Sequence, residues 1–377
     1  GSSATNTLTV GGVNNAEITL SASQTGGKWL TVQNNIPIKD PYTYTAVQSI
    51  PDGPAPYARN WVFGDPSILL IWSGSTDNDW NNPANWEPAL TPGENTPVKI
   101  PASKPRYPKL ESATNAKAGT ITVEAGGEID MSDYTISTTG PAKSTLTLKG
   151  TAKMTGTADQ AGWFGTGPNK LEIKPDSTAV YYGNSAANIW NGPYQNLQFD
   201  NKPGISAGNL TVDKTLTVKN GATILTAASK INKLEITYTG TLQLAGTLTI
   251  KEELNNRQGG TFIAGANDVS LDLQNAPNNK ITVKGGSNKD KTKFSKLKCL
   301  SNTSGKALFI EGAINVSGAG NLEISGQPPH RIEINSATAG YIWLDHKQEC
   351  YNLTVYTDKV RINGTTALGK KNKLEEK

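Results

Sequence analysis

Short units of the form apolar, polar, apolar recur along this chain at a nearly fixed interval, and few folds are open to a chain built that way. ITV (121–123), LTL (146–148), LEI (171–173) and LQF (197–199) have central residues Thr122, Thr147, Glu172 and Gln198, which lie 25, 25 and 26 positions apart. Period-two alternation puts the flanking Ile, Leu, Val and Phe on one face of a strand and the polar residue on the other. A strand with two inward side chains cannot hold itself together. Stacked on copies of itself, with Gly or Asn at the corners, it builds a continuous core. Farther on, LTVDKTLTV (210–218) returns as LQLAGTLTI (242–250), a shift of 32, and KLEI occurs at 170–173 and 233–236. The pattern Asn-Leu-polar-apolar starts at Asn196, Asn209, Asn321 and Asn352; asparagine suits a corner because it tolerates left-handed backbone. These features predict an all-β chain whose residues 71–377 form a right-handed parallel β-helix, or β-solenoid. A row of antiparallel sandwiches would instead carry turn signals roughly every 8 to 12 residues with no longer period.

The first seventy residues lack this period. AEITLSA, KWLTVQ and YTYTAVQ are longer alternating stretches split by GG and KDP turns. They predict a small antiparallel Ig-like β-sandwich over 1–70, with Trp29 as core anchor and the Pro-rich PDGPAPYARN (51–60) as its last loop or a linker.

Composition narrows the function classes. The 377 residues carry 36 basic and 32 acidic side chains, and only five of the basic ones are arginine. That balance gives no concentrated basic face for nucleic acid. The longest apolar run, ILLIW (68–72), is of strand length, so no membrane-spanning segment is expected. The opening GSS reads as a cloning scar on a fragment of a longer protein. Cys299 and Cys350 are the two cysteines, open to either one disulfide or two buried free thiols. The two histidines, His330 and His346, have no Ser or Cys arrangement beside them that suggests a triad.

Two stretches concentrate chemistry. WSGSTDNDWNNPANWEP (72–88) holds three tryptophans, three carboxylates and four asparagines. Within it Asp77, Asp79 and Asn81 alternate like the first half of a calcium loop, whose hard oxygens wrap the ion. The second half departs: Asn82 stands where the loop needs Gly, Pro83 follows, and Pro88 replaces the bidentate Glu. A looser Ca²⁺ site on Asp77, Asp79 and Asn81 is one reading of the segment, and no other cofactor is expected. A second reading is a sugar stacked on an exposed indole, and a third is a cap in which Trp72, Trp80 and Trp86 close the end of the solenoid core. The other stretch, YYGNSAANIWNGPY (181–194), offers Tyr181, Tyr182, Trp190 and Tyr194 either as a ligand-binding aromatic surface or as loop packing.

Three segments carry a resemblance. GGKWLTVQNNIPIKDPYTYTAVQ resembles the second half of a bacterial Ig-like surface repeat. WSGSTDNDWNNPANWEPALTPGENTPVKIP resembles the opening segment of repetitive β-strand (β-helix-like) surface proteins of Bacteroidetes and spirochaetes, and FSKLKCLSNTSGKALFIEGAINVSGAGNLEISG (294–326) is similar to the strand repeats of the same proteins. The resemblance implies a secreted or surface-anchored, multi-module bacterial protein at the cell surface, and it supplies no catalytic motif. The expectation is therefore an extracellular adhesin or stalk, not an enzyme, that binds glycans or host extracellular proteins through the outer faces of its solenoid. A polysaccharide lyase or glycoside hydrolase of the β-helix type is the rival. It would need clustered carboxylates on neighbouring turns, whereas the acidic residues here are spread thinly.

Overall fold

The computed structural model describes residues 68–111, 116–136, 145–156, 170–183, 187–190, 193–201, 205–206, 209–288, 290–303, 305–317 and 322–326. Farther on it describes 332–336, 340–344, 348–350, 353–356, 360–363, 366–368 and 373–375, and before residue 68 the strands at 8–10, 26–28, 30–33, 44–47, 50–52 and 61–63. Trp29, His330 and His346 lie outside the described residues. The chain divides into two compact units, residues 1–152 with 166–174 and residues 153–165 with 175–377. Both are built from parallel β-strands stacked as in a solenoid.

In the first unit the strands Leu70–Trp72, Val98–Ile100, Thr120–Val123, Thr145–Leu148 and Lys170–Ile173 lie side by side in parallel. Ile121, Leu146 and Leu171 stand in register, so the interval read in the sequence is the length of one turn. Ile121, Val123, Leu146 and Leu148 are all at most 1% exposed. Each such side chain contributes roughly 1.5 to 3 kcal/mol before chain entropy is set against it. Outward, Glu124 bridges Lys99 at 3.3 Å and Lys149 at 3.1 Å. The lysines, Lys149 first, hold its carboxyl below the usual range. Stacking this close leaves no room for a side chain at Gly150, where a Cβ would lie 2.3 Å from the Gly127 carbonyl oxygen.

The N-terminal strands differ from the expected Ig-like sandwich. Leu8–Val10, Leu30–Gln33 and Ile50–Asp52 pair in parallel, and so do Gly26–Lys28, Tyr44–Val47 and Trp61–Phe63. Partners such as Leu8 and Leu30, or Tyr44 and Trp61, are separated by chain enough for a parallel crossover. Alternation along one strand does not encode the direction of its neighbour, so the sequence pattern fits either pairing.

In the second unit Ala179, Leu197, Leu216, Leu234 and Leu254 stand in register, and the turns between them are shorter than those of the first unit. Leu197, which opens the fourth member of the regular series, thus sits beside Ala179. The shift of 32 in the sequence is not structural either. Leu210 pairs with Ser229 and Ser229 with Leu248, whereas the strand Thr241–Leu244 lies beside Ala222–Leu225. After Leu254 the turns lengthen, and the row continues at Val283 and Ile310. Two 3-10 turns, Leu273–Asn275 and Pro277–Asn279, fill the first of these longer turns. The buried Lys306 ammonium ties them down, donating to the Gln274 carbonyl at 3.1 Å and to Asn279 Oδ1 at 2.9 Å. Nearby, buried Asn256 donates to the Lys291 carbonyl at 2.7 Å and holds the loop that follows Gly286.

The Asn-Leu motif does not mark one kind of place: Asn209 is a bend just before the strand Leu210–Lys219, and Asn321 and Asn352 lie outside the described residues. Asn196 lies inside a strand, where its backbone N–H and its side-chain amide both donate to the Ser177 carbonyl. One row of left-handed positions is Gly183, Asn201, Asn220 and Tyr238, with φ of 91°, 55°, 54° and 53°. Each follows one of the residues Tyr182, Asp200, Lys219 and Thr237, which stand in register. Another inward row runs Tyr194, Val212, Ile231, Ile250, Leu271, Cys299 and Ile324. Cys299 is therefore a free, fully buried thiol acting as a small apolar side chain, and burial pushes its pKa up to about 12.

Candidate functional site

The tryptophan-rich segment folds against the first turns of the first unit. Leu70–Trp72 pairs antiparallel with Trp86–Glu87, which sets Trp72 opposite Trp86. Trp86 meets Trp72 and Trp80 edge to face, each at 5.0 Å between ring centroids. None of the three rings is more than 3% exposed. Each indole N–H donates to a backbone carbonyl, that of Arg106 for Trp72, Lys117 for Trp80 and Trp80 for Trp86. None of these three indoles is open to stack on a sugar. They serve as apolar packing with their polar atoms spent.

Around the rings, the carboxylates and amides divide into two sets. Asn85 is fully buried and uses all four of its hydrogen-bonding capacities. Its Oδ1 accepts from the Thr76 and Asp77 N–H groups at 3.1 Å each, and its Nδ2 donates to Asp77 Oδ1 and, at 3.0 Å, to the Asp79 carbonyl. Asp77 Oδ1 also accepts from the Asp79 N–H at 2.9 Å, and its Oδ2 accepts from Asn82 Nδ2 at 2.7 Å. Asn82 Oδ1 in turn caps the 3-10 turn Pro83–Asn85 by accepting from the Ala84 N–H. The Asn85 and Asn82 amides, with the Asp79 N–H and the Arg106 charge, hold the Asp77 carboxyl below its ordinary value. Three N–H groups therefore face the Asp77 oxygens from the directions a cation would occupy. No group of three or more His, Cys, Asp or Glu able to hold a metal occurs among the described residues.

Asp79 and Asn81 belong to the other set. With Trp80, Lys109, Leu110, Glu111 and Ala116 they line an open cleft of about 250 Å³. Asp79 Oδ1 accepts from the Asn81 N–H at 2.9 Å. Asp79 Oδ2 and the Asn81 side-chain amide have no hydrogen-bond partner among the described residues. Lys109 and Glu111 face each other at 3.6 Å, a loose and largely solvated pair. The walls are fixed by backbone. Lys109 bridges in parallel to Asp79 on one side and Asp130 on the other, and its N–H donates to the Asn78 carbonyl at 2.9 Å. Buried Leu110 and Ala116 add an apolar floor. The sequence gives no sign of Lys109 and Glu111 as site residues, because they lie a full turn from Asp79 and carry no motif of their own.

In the second unit the structure brings Tyr181, Trp190 and Tyr194 together as a closed knot. The Trp190 N–H points to the Tyr181 hydroxyl at 3.4 Å, the two phenol oxygens are 2.9 Å apart, and the Tyr194 hydroxyl donates to the Trp190 carbonyl at 2.8 Å. With Tyr194 donating to that carbonyl, Tyr181 is left to donate to Tyr194, and the cycle is complete. Tyr181 and Tyr194 are 2% and 1% exposed, and burial pushes both phenols above their ordinary pKa. Tyr182 and Trp190 keep partial exposure. As a ligand surface the stretch is reduced to those two half-buried rings, because Tyr181 packs in the core beside Phe199 and Tyr194 is buried against Tyr181.

Residues 71–201 match the model of a domain of unknown function (DUF8693). The tryptophan-rich segment, the cleft and the tyrosine knot all fall inside that stretch. No curated protein and no solved structure matches the chain.

Proposed function

We propose that this chain is part of an extracellular bacterial surface protein, an adhesin or stalk that meets glycans or host matrix proteins on its outer surface and does not turn them over. The closed interior carries this reading. The inward Leu197, Leu216, Leu234, Leu254, Val283 and Ile310 are at most 1% exposed, so a ligand is met from outside. Outward, register turns single residues into rows, such as Thr120 beside Thr145 and Thr122 beside Thr147. Such rows present a fixed grid with a spacing of about 4.8 Å between turns. Several acids of the second unit are matched to lysines, as Glu252 is to Lys233 at 2.7 Å and Glu253 to Lys284 at 2.9 Å. That arrangement suits a stable surface better than a hydrolytic pair, whose two carboxyls must titrate apart. The resemblance of the tryptophan-rich segment to bacterial surface repeats supports the location, and no helix among the described residues is long and apolar enough to cross a membrane.

The test is an array of polysaccharides, host glycans and matrix proteins, run with and without EDTA and scored for retention and for cleavage. Selective retention without cleavage is the expected result, and loss of retention in EDTA would mean that a cation such as calcium takes part. Cleavage of any substrate overturns the reading in favour of a lyase or hydrolase, and a blank array removes the adhesin and leaves the stalk.

A further inference from the structure

The cleft beside Trp80 differs from the Asp77–Asn85 cluster next to it in leaving Asp79 Oδ2 and the Asn81 side-chain amide without a partner among the described residues, with Lys109 and Glu111 only loosely paired. We propose that it is a saccharide subsite, taking one terminal residue of a neutral, hydroxyl-rich glycan. This rests on the glycan-binding reading above and names the place and the ligand class.

The chemistry of the lining selects the class. A sugar hydroxyl both donates and accepts, so it is matched by a wall on which acceptors and donors are mixed. Asp79 Oδ2 accepts, the Asn81 amide does both, Lys109 donates and Glu111 accepts. Two carboxylates against one ammonium leave the lining with one net negative charge, which repels uronic acids and sulfated sugars and admits uncharged ones. The volume of about 250 Å³ suits one ring more than an extended chain. Leu110 and Ala116 offer the C–H face of such a ring an apolar floor. The bridges from Lys109 to Asp79 and Asp130 hold the walls in place before the ligand arrives, which lowers the ordering cost of binding. The affinity for a single ring should be weak, because the Trp80 indole is buried and not open to stack on it.

Saturation-transfer NMR and titration with the methyl glycosides of glucose, galactose and mannose test this, with methyl glucuronide as the charged comparison. At least one neutral glycoside should bind in EDTA. Asp79→Ala and Asn81→Ala should each weaken it by about tenfold. Asp79→Asn, which keeps an oxygen for the Asn81 N–H, should weaken it less, and Lys233→Ala in the second unit should leave it unchanged. Melting curves confirm that each variant is folded. Binding that survives both Asp79→Ala and Asn81→Ala, a preference for the glucuronide, loss in EDTA, or no binding of any neutral glycoside overturns the subsite. Retention of larger glycans that is untouched by Asp79→Ala overturns the cleft alone, whereas a blank array removes the glycan-binding reading with it.

Discussion

The cleft beside Trp80 and the knot of Tyr181, Trp190 and Tyr194 both gather aromatic and polar side chains densely, and they use them in opposite ways. In the knot the two phenol oxygens and the Trp190 backbone answer one another in a closed cycle, and the phenols are buried. In the cleft, Asp79 Oδ2 and the Asn81 amide face open space, on walls fixed by backbone. Two positions before Asp79, Asp77 behaves as the tyrosines do, with both oxygens taken. Residue type does not separate a structural polar group from one available to a ligand. What separates them is whether the group's hydrogen bonds are already made.

The largest effect that would sharpen this comparison is expected at Asn85. Asn85→Ala removes a fully buried amide with four bonds and should destabilise the first unit by about 2 to 4 kcal/mol, read from denaturant melts. Its saccharide binding should persist wherever the variant remains folded. Tyr194→Phe breaks the knot and leaves the Trp190 carbonyl without its donor, at a cost of about 1 to 3 kcal/mol. Glycoside binding should not change, and a loss of binding in this variant would reverse the roles of the two regions.

Acid should act on the closed set. Asp77 and Glu124 both have carboxyls held below their ordinary values of 3.8 and 4.5. The stability they confer is present above those values and is lost as the pH falls through the depressed folded values. Melting temperature should therefore drop below about pH 4, and Asp77→Asn should drop less steeply. The smallest effect is expected at Asp79, where Asp79→Ala removes one turn bond from an exposed side chain and should shift stability by no more than about 0.5 kcal/mol.

Much of the fold was legible in the sequence, for a physical reason. A stacked strand repeats its inward residues at the length of a turn, so Ile121, Leu146 and Leu171 announce their own register. Where turns change length the signal misleads. LQLAGTLTI resembles LTVDKTLTV because both are alternating strands, yet Thr241–Leu244 belongs beside Ala222–Leu225. The parallel pairing before residue 64 was hidden because alternation says nothing of direction. The Asn-Leu motif is an uneven guide to corners because asparagine serves equally at a left-handed position, as Asn201 and Asn220 do, and within a strand, as Asn196 does. At the site, the sequence singled out Asp77, Asp79 and Asn81 together. Only their partners, Asn85 and Asn82 for the first and a cleft for the other two, divide them.

The most direct test of the central claim is an amide NMR titration of the labelled chain with a neutral methyl glycoside. Shifts should cluster at Asp79, Asn81, Lys109 and Glu111, with Asp77, Asn85, Tyr181 and Tyr194 unmoved. Shifts centred on Tyr181, Trp190 and Tyr194, or on Asp77 and Asn85, would contradict it.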